Sequence, residues 1–257
     1  MYLQKYKLDG RTAFVTGGGR GIGLASAEAL AEAGAAVVIA DRDGTLLDAG
    51  RRELAGKGYR VEAVVLDVSR SDDVNRVADA YNANDRGVDI LVANAGITWP
   101  DTPAEEMSDE AWLKVVDVDL NGVFWCCRAF GRHMLARRSG AIVTTGSISG
   151  IISNRPQRQV QYNSAKAGVH HLTRSLAGEW AGRGVRVNSV APTYIDTDMS
   201  GAGLRTPEVN RIWMENTPMG RAGRADEIAS AVLFLASDAS SLITGAIVLA
   251  DAGYCVW

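Results

Sequence analysis

The stretch T-A-F-V-T-G-G-G-R-G-I-G, residues 12–23, decides the fold class of this chain. Its first residues are β-branched or apolar, as in a short buried strand. The glycines follow at once, and the run L-A-S-A-E-A-L-A-E-A after them is typical of a helix. Glycine permits positive φ and close backbone approach, and a helix N-terminus offers unpaired N–H groups to an anion. This order predicts a phosphate-binding loop, with a tight structural turn as the alternative.

Apolar runs and helical stretches alternate along the rest of the chain. The runs predict strands at 12–16, 36–40, 60–66, 89–93, 141–145, 185–190 and 246–250. The longest helices are expected near 108–138 and 160–182. The alternation predicts a single-domain α/β Rossmann fold over 1–257, a doubly wound parallel sheet of about seven strands with helices on both faces. Bound molecules should lie outside the carboxyl ends of the strands, where the strand order reverses.

The second predicted strand ends at Asp41, about twenty residues past the glycines. A carboxylate at this point binds the adenosine ribose hydroxyls and repels a 2′-phosphate, which favours NAD over NADP. Arg20 and Arg42 weakly favour NADP instead, because a guanidinium could bind its 2′-phosphate. We therefore expect NAD as the cofactor.

Tyr162 and Lys166 lie four residues apart in Q-Y-N-S-A-K-A-G. Residues at this spacing share one face of a helix. A free phenol has a pKa of about 10, and a neighbouring ammonium lowers that pKa by favouring the phenolate. The pair predicts a tyrosine that takes a proton from an alcohol or returns one to a developing alkoxide. A tyrosine and a lysine on a solvated helix face are the plainer alternative.

Bulk properties exclude several classes of protein. The net charge of −3 and the pI near 5.7 give no reason to expect nucleic-acid or membrane binding. The N-terminal stretch lacks an apolar signal segment, and no apolar run is long enough to cross a bilayer. The cysteines, Cys126, Cys127 and Cys255, are too few and wrongly spaced for a zinc site or a disulfide framework. We expect a cytoplasmic, reducing location, no metal site, and Cys126 and Cys127 on a buried helix face.

The histidines His133, His170 and His171 show no clustering with carboxylates that would suggest a metal site. His170 lies two turns beyond Tyr162 on the same predicted helix, too far to serve it as a partner. We expect helix packing or subunit contacts for all three.

Six segments taken together resemble the short-chain dehydrogenase/reductase family over essentially the whole chain. They are T-G-G-G-R-G-I-G at 16–23, L-D-V at 66–68, N-A-G at 94–96, G-S-I-S-G at 146–150, Y-N-S-A-K at 162–166 and V-R-V-N-S-V-A-P at 185–192. A narrower likeness to polyol dehydrogenases of the galactitol dehydrogenase kind rests on G-V-F-W-C-C-R-A-F-G-R, S-N-R-P-Q, E-W-A-G-R-G-V-R-V-N and the terminal G-Y-C-V-W. The resemblance implies hydride transfer between NAD and a secondary alcohol or ketone, with a polyol as substrate. A reductase of 3-oxoacyl or small ketone substrates and a non-catalytic dinucleotide-binding regulator are the alternatives.

The resemblance also implies roles for individual residues. Tyr162 is the implied acid/base, Lys166 lowers its pKa and binds the nicotinamide ribose, and Ser147 hydrogen-bonds the reacting oxygen. Ser149 competes with Ser147, because the interval from Ser147 to Tyr162 is longer than in many members. Motifs and resemblance together place the cofactor at Gly17, Arg20, Gly21, Ile22, Gly23, Asp41, Arg42, Asp67, Val68, Asn94, Ala95, Gly96, Tyr162, Lys166, Pro192, Ile195 and Thr197. The expected substrate contacts are Ser147, Ser149, Asn154, Gln157 and Tyr162.

The chain departs from the family where members usually carry a catalytic asparagine, just before L-x-G-V-F. Asp119 occupies this position in V-D-L-N-G-V-F. An aspartate accepts the same hydrogen bonds but donates none, and it brings a charge near Lys166. A special role and a tolerated replacement both stay open. Asn121 should not substitute, because two helical residues turn a side chain by about 200°.

Residues 198–220 have weak periodicity and contain several Gly and Pro, which predicts a mobile substrate lid. Trp213 and Met214 would either cover an apolar part of the substrate or pack the lid. The resemblance implies a homotetramer in which two long helices form one interface. The tail, residues 254–257, is expected against a neighbouring subunit, with packing in its own subunit as the alternative.

Overall fold

Each predicted strand forms part of one parallel sheet. The computed structural model describes residues 1–83 and 87–257. The strands are β1 Thr12–Thr16, β2 Ala36–Asp41, β3 Val61–Val65, β4 Ile90–Ala93, β5 Gly140–Thr145, β6 Val185–Pro192 and β7 Ile247–Ala250. They pair in the order β3-β2-β1-β4-β5-β6-β7. The predicted fold class is confirmed, and the strand ends agree within two residues.

Helices connect the strands. They are α1 Gly21–Glu32, α2 Gly44–Gly56, α3 Ser71–Tyr81, α4 Asp109–Val116, α5 Val123–Arg137, α6 Val160–Trp180, α7 Asp198–Arg205, α8 Pro207–Glu215 and α9 Ala225–Ala236. The helix predicted for 108–138 is interrupted, because the π-helix Asp117–Gly122 separates α4 from α5. The lid segment 198–220 is more regular than predicted, since it contains α7 and α8. Within the described residues, no helix has the length and apolar character that a membrane span requires.

Both faces of the sheet are buried, because successive strand residues point to opposite sides. In β1, Phe14 joins one apolar cluster while Ala13 and Val15 join the other. Helices α3, α5 and α6 cover the first face, and α1, α2 and α9 cover the second. Cys126 and Cys127 are buried in the first cluster, as the sequence predicted.

The strand order reverses between β1 and β4. From β1 the chain builds outward through β2 to β3, then crosses to β4 and continues to β7. The connections that leave β1 and β4 therefore diverge to opposite sides, which opens a crevice at their carboxyl ends. Gly17 follows β1 and Asn94 follows β4, so both predicted cofactor motifs lie at this crevice.

Candidate active site

The glycine loop joins β1 to α1 by a tight connection. Gly17 and Gly21 have φ values of +61° and +56°, in the left-handed region that favours glycine. Gly23 packs against the carbonyl of Gly17, where a Cβ atom would collide. This packing brings the unpaired N–H groups at the start of α1 beside the loop, as the binding of a pyrophosphate requires.

Asn94 connects the ends of three strands. Its amide Nδ2 donates to the carbonyls of Thr16 at 3.1 Å and Gly17 at 3.3 Å. Its Oδ1 accepts from Thr145 Oγ1 at 3.1 Å. Asn94 therefore fixes the relative positions of β1, β4 and β5 where the crevice opens.

Asp41 ends β2 on the far side of the glycine loop. Its Oδ2 accepts from the backbone N–H of Gly19 at 3.3 Å, and its Oδ1 accepts from that of Asp43 at 3.2 Å. The two bonds hold the carboxylate at the β2 end of the crevice. Arg20 lies at the same crevice but is paired with another carboxylate, since its guanidinium lies 2.9 Å from Asp198 at the start of α7.

Asp67 and Arg42 lie close enough to influence each other. Burial acts to raise the pKa of Asp67, but hydrogen bonds from Ser69 and the charges of Arg42 and Lys114 outweigh it and lower that pKa. Asp67 therefore stays ionised and is held by the backbone N–H and hydroxyl of Ser69, at 3.0 and 2.7 Å.

Tyr162 and Lys166 face the crevice from α6. Lys166 Nζ lies 5.4 Å from the centre of the Tyr162 ring and donates to the carbonyl of Thr145 at 3.0 Å. Burial raises the pKa of Tyr162, whereas the charge of Lys166 and a hydrogen bond with the Ser147 side chain lower it. The charge of Asp119 raises it further, and the net direction is upward. The lysine thus acts in the predicted direction, but burial and Asp119 outweigh it.

Asp119 is fully buried on the π-helix that interrupts the long helix. Its Oδ1 accepts from the backbone N–H of Ile97 at 2.8 Å, and its Oδ2 lies 3.3 Å from Lys166 Nζ without accepting a hydrogen bond from any described residue. Burial raises the pKa of Asp119, against the charge of Lys166 and the Ile97 bond. Asn121 turns away as predicted, and its amide donates to Asp117 Oδ1 at 2.9 Å.

Ser147 and Ser149 are both buried and belong to one short turn. Ser147 Oγ accepts from the backbone N–H of Ser149 at 3.1 Å, and the two hydroxyls lie 3.1 Å apart. Of the two, Ser147 is the serine whose side chain acts to lower the pKa of Tyr162. Ser149 Oγ instead accepts from Gln159 Nε2 at 3.3 Å. Ser147 therefore interacts with the phenol, whereas Ser149 is bonded to Gln159.

A polar wall forms the far side of the crevice. The amides of Asn154 and Gln157 donate to the Tyr194 hydroxyl at 3.1 and 3.2 Å. Gln159 Nε2 donates to Asn154 Oδ1 at 3.2 Å. Trp213 Nε1 donates to Gln157 Oε1 at 3.1 Å, and its ring stacks on Tyr194 with centroids 3.8 Å apart. Helix α8, in the segment predicted to be a lid, is therefore joined to this wall through Trp213.

The chain end packs partly within its own subunit. Tyr254 is 7 % exposed and meets the Tyr194 ring edge-on, with centroids 5.6 Å apart. Tyr254 is thus buried within the single subunit, which agrees with the alternative of packing in its own subunit, and contact of the tail with a neighbouring subunit stays a prediction. Val256 and Trp257 remain 68 % and 80 % exposed.

One cleft of about 600 Å³ brings almost all the predicted residues together. Two predicted residues do not line it: Gly23 lies beneath the loop, and Asp119 lies behind Lys166. Within the described residues, no three His, Cys, Asp or Glu side chains form a group that could hold a metal ion.

Gln159 and Tyr194 line the cleft but were not predicted from the sequence, and His170, expected to serve helix packing or subunit contacts, contacts the turn that carries Ser147. Gln159 lies two residues after the predicted Gln157, and Tyr194 lies between the predicted Pro192 and Ile195, so spacing was an available signal for both. His170 had no local signal, because its contacts come from a different segment of the chain.

The fold and the cleft define a dinucleotide-binding α/β protein with a Ser-Tyr-Lys constellation. A family model described as enoyl-(acyl carrier protein) reductase matches residues 17–255. The chain belongs to the short-chain dehydrogenase/reductase family.

Known relatives agree with this membership. The chain is 54 % identical to a galactitol 2-dehydrogenase of Rhizobium johnstonii, over 100 % of this chain and 99 % of the relative. It is 47 % identical to a galactitol 2-dehydrogenase (L-tagatose-forming) of Cereibacter sphaeroides, with the same coverage. Among solved structures, a gluconate 5-dehydrogenase of Burkholderia cenocepacia in complex with NADP and tartrate superposes with a TM-score of 0.94, at 35 % identity and over 100 % of both chains.

Proposed function

We propose that the protein is a nicotinamide-dependent dehydrogenase that interconverts a polyol and a ketose. The observation that carries this proposal is the convergence of Tyr162, Lys166 and Ser147 in one cleft, opposite a wall of amide side chains. The similarity to two galactitol 2-dehydrogenases supports a polyol as the substrate class. The bound cofactor supplies the hydride acceptor or donor, while the residues of the chain bind, orient and move the proton.

Tyr162 is the proposed proton carrier. Its phenolate takes the proton from the substrate hydroxyl, and its phenol returns one in the reverse direction. Lys166 stabilises the phenolate, because its ammonium lies 5.4 Å from the ring centre and is held in place by the carbonyl of Thr145. Ser147, hydrogen-bonded to Tyr162, orients the reacting oxygen and stabilises its developing charge.

The polar wall supports a substrate with several hydroxyls. Each amide of Asn154, Gln157 and Gln159 carries both donors and an acceptor, which suits hydroxyl groups. An acyl chain packed against these amides would remove their remaining donors and acceptors from water without offering hydrogen bonds in return, which costs free energy. This cost counts against the 3-oxoacyl alternative, although the description of the family model names a reductase of acyl substrates.

NAD is the proposed cofactor. The glycine turn beside the start of α1 and the carboxylate of Asp41 fit a dinucleotide, the first for the pyrophosphate and the second for ribose hydroxyls. Asp41 would repel a 2′-phosphate, and Arg20 is already paired with Asp198. A relative of the same fold was crystallised with NADP, so the proposal of NAD for this chain rests on Asp41 and its surroundings.

A homotetramer and a cytoplasmic location complete the proposal. Apolar side chains on α4 and at the chain end remain exposed and would gain by burial in an interface. They include Trp112, Leu113, Val256 and Trp257. Cys126, Cys127 and Cys255 are free thiols, which supports a reducing compartment.

A substrate screen tests the proposal. Purified protein is mixed with NAD or NADP and with galactitol or stereoisomeric hexitols, and the absorbance of the reduced cofactor is followed. A 3-oxoacyl thioester and a small ketone are tested with the reduced cofactors. The proposal is supported if a hexitol is oxidised with a higher kcat/KM than any other substrate tested. Turnover of only the thioester or the ketone would contradict it, and cofactor binding without any turnover would indicate a regulator.

A further inference from the structure

His170 lies one turn beyond Lys166 on α6 and contacts the turn that carries Ser147. The side chain is 4 % exposed, and the backbone N–H of Ser147 donates to its Nε2 at 3.4 Å. Because Nε2 accepts this bond, it carries no proton, and the proton of the neutral imidazole lies on Nδ1. Nδ1 faces Gly150, whose backbone hydrogen-bonds the ring. The imidazole therefore contacts both ends of the segment 147–150.

The glycines that flank this segment make room for the ring. A Cβ atom on Gly146 would collide with His170 Nε2, and one on Gly150 would lie 2.7 Å from Nδ1. The imidazole fills the space that side chains at these positions would need. The glycines at the two ends of G-S-I-S-G thus leave the space that the His170 ring occupies.

The imidazole of His170 stays neutral, so its Nε2 remains a hydrogen-bond acceptor. Burial and the positive charges of Lys166 and Arg174 lower the pKa of His170 to about 4, against the hydrogen bond with Gly150. At neutral pH, Nε2 is therefore unprotonated and continues to accept from Ser147.

The segment that His170 holds determines where the Ser147 hydroxyl points. Gly150 N–H donates to the carbonyl of Ser147 at 3.0 Å, and Ser149 N–H donates to Ser147 Oγ at 3.1 Å. A shift of this turn would therefore move the hydroxyl relative to Tyr162. Since Tyr162, Lys166 and His170 all project from α6, one helix would place both the base and the serine.

We propose that His170 is a positioning residue for Ser147, which fixes the turn 147–150 from both ends and aims the serine hydroxyl at the reacting oxygen. The inference rests on the proposed function, because it assigns His170 an effect on turnover only through Ser147.

A double-mutant cycle tests this inference on the full chain. The variants are His170→Leu, Ser147→Ala and their combination, with kcat measured for the best polyol of the screen. His170→Gln provides a conservative replacement, because its amide oxygen can accept from the Ser147 N–H. His171→Leu is the matched control, since His171 is adjacent and exposed. Cofactor dissociation constants and melting temperatures are measured for every variant, to separate positioning from unfolding.

We expect His170→Leu to lower kcat about tenfold or more, because small displacements of catalytic groups are costly. Cofactor affinity should stay within about twofold, and His170→Gln should retain more kcat than His170→Leu. In the Ser147→Ala background, His170→Leu should change kcat by less than about twofold, since coupled residues are not additive. If His170→Leu is poorly folded, His170→Met, which also lacks the acceptor, takes its place in the cycle.

Three outcomes would overturn the inference. They are unchanged kcat in His170→Leu, an equal fractional loss of kcat with and without the Ser147 hydroxyl, and a comparable loss in His171→Leu. Full activity of Ser147→Ala would remove the role of Ser147 and the inference with it, whereas absence of polyol turnover in the unmodified protein would contradict the proposed function, so the two failures are distinguishable.

Discussion

Lys166 Nζ lies 3.3 Å from Asp119 Oδ2, in a pair whose side chains are 3 % and 0 % exposed. Both charges are thus removed from water. In the protein interior, electrostatic interactions act more strongly than at the surface. The ammonium that stabilises the Tyr162 phenolate is also the counterion of this carboxylate. Asp119, which stands where the family usually has asparagine, therefore affects the environment of the proposed proton carrier Tyr162.

Asp119→Asn is expected to shift the pH dependence of polyol oxidation to lower pH. Oxidation requires the Tyr162 phenolate, so kcat rises as the pH passes the pKa of this residue. Asp119 acts to raise that pKa, and removal of its charge acts to lower it. The substitution leaves the other titratable neighbours of Lys166 unchanged. They are Tyr162 and the neutral His170.

The measurement is kcat against pH at saturating substrate. Asp117→Asn is the control, because Asp117 lies on the same π-helix but is exposed and bonded to Asn121. A profile that stays in place, or that moves to higher pH in Asp119→Asn, would show that the carboxylate does not tune the tyrosine.

Tyr162→Phe is expected to lower kcat by at least about 100-fold, the scale of general acid–base catalysis. The substitution keeps the ring and removes the group that carries the proton. Cofactor affinity, measured by fluorescence titration, should barely change. The exposed Tyr2 provides the control substitution Tyr2→Phe. Near-normal turnover of Tyr162→Phe would refute the mechanism.

Asp41 is expected to set the cofactor preference. The unmodified protein should favour NAD over NADP by at least about tenfold in kcat/KM, because its carboxylate repels the 2′-phosphate. Asp41→Ala should reduce this preference. Asp48→Asn on α2 removes the same charge from a position outside the cleft and should have little effect. The assignment fails if the unmodified protein works better with NADP.

Ser147→Ala is expected to lower kcat by about 100-fold or more, as for the loss of one oxyanion donor. Ser149→Ala should cost much less, because its hydroxyl bonds Ser147 and Gln159 rather than Tyr162. Steady-state kinetics of the two variants provide the comparison. The reverse ranking would make Ser149 the residue that polarises the substrate.

The two halves of the tail are expected to have different roles. Tyr254→Ala should raise the KM for the polyol and lower the free energy of unfolding by roughly 3 kcal/mol, because it empties a buried site beside Tyr194. Deletion of residues 256–257 should instead weaken the tetramer, since both side chains are exposed in the single subunit. Light scattering and denaturant unfolding separate the effects. An unchanged mass on dilution of the deletion variant would exclude its role in assembly.

Much of the fold could be predicted because its signals are local. Strands of a parallel sheet are buried on both faces and therefore appear as continuous apolar runs, so each strand was located within two residues. The glycine loop and the Tyr162–Lys166 pair were equally accessible, because φ preference and helical spacing depend on neighbouring residues. Asp119 could be identified as a departure, but neither the π-helix around it nor its contact with Ile97 has a sequence signature.

The sequence by itself determined the sheet and the glycine loop and pointed to Tyr162 as the proposed proton carrier, because short-range chemistry specifies these features. Only the tertiary structure decided the direction of the Tyr162 pKa shift, since this depends on burial and on how close Asp119 lies to Lys166. It also brought His170 to the Ser147 turn, although 23 residues separate them along the chain. Contacts of this kind arise from the way α6 packs across the end of β5, and residue spacing carries no information about that packing.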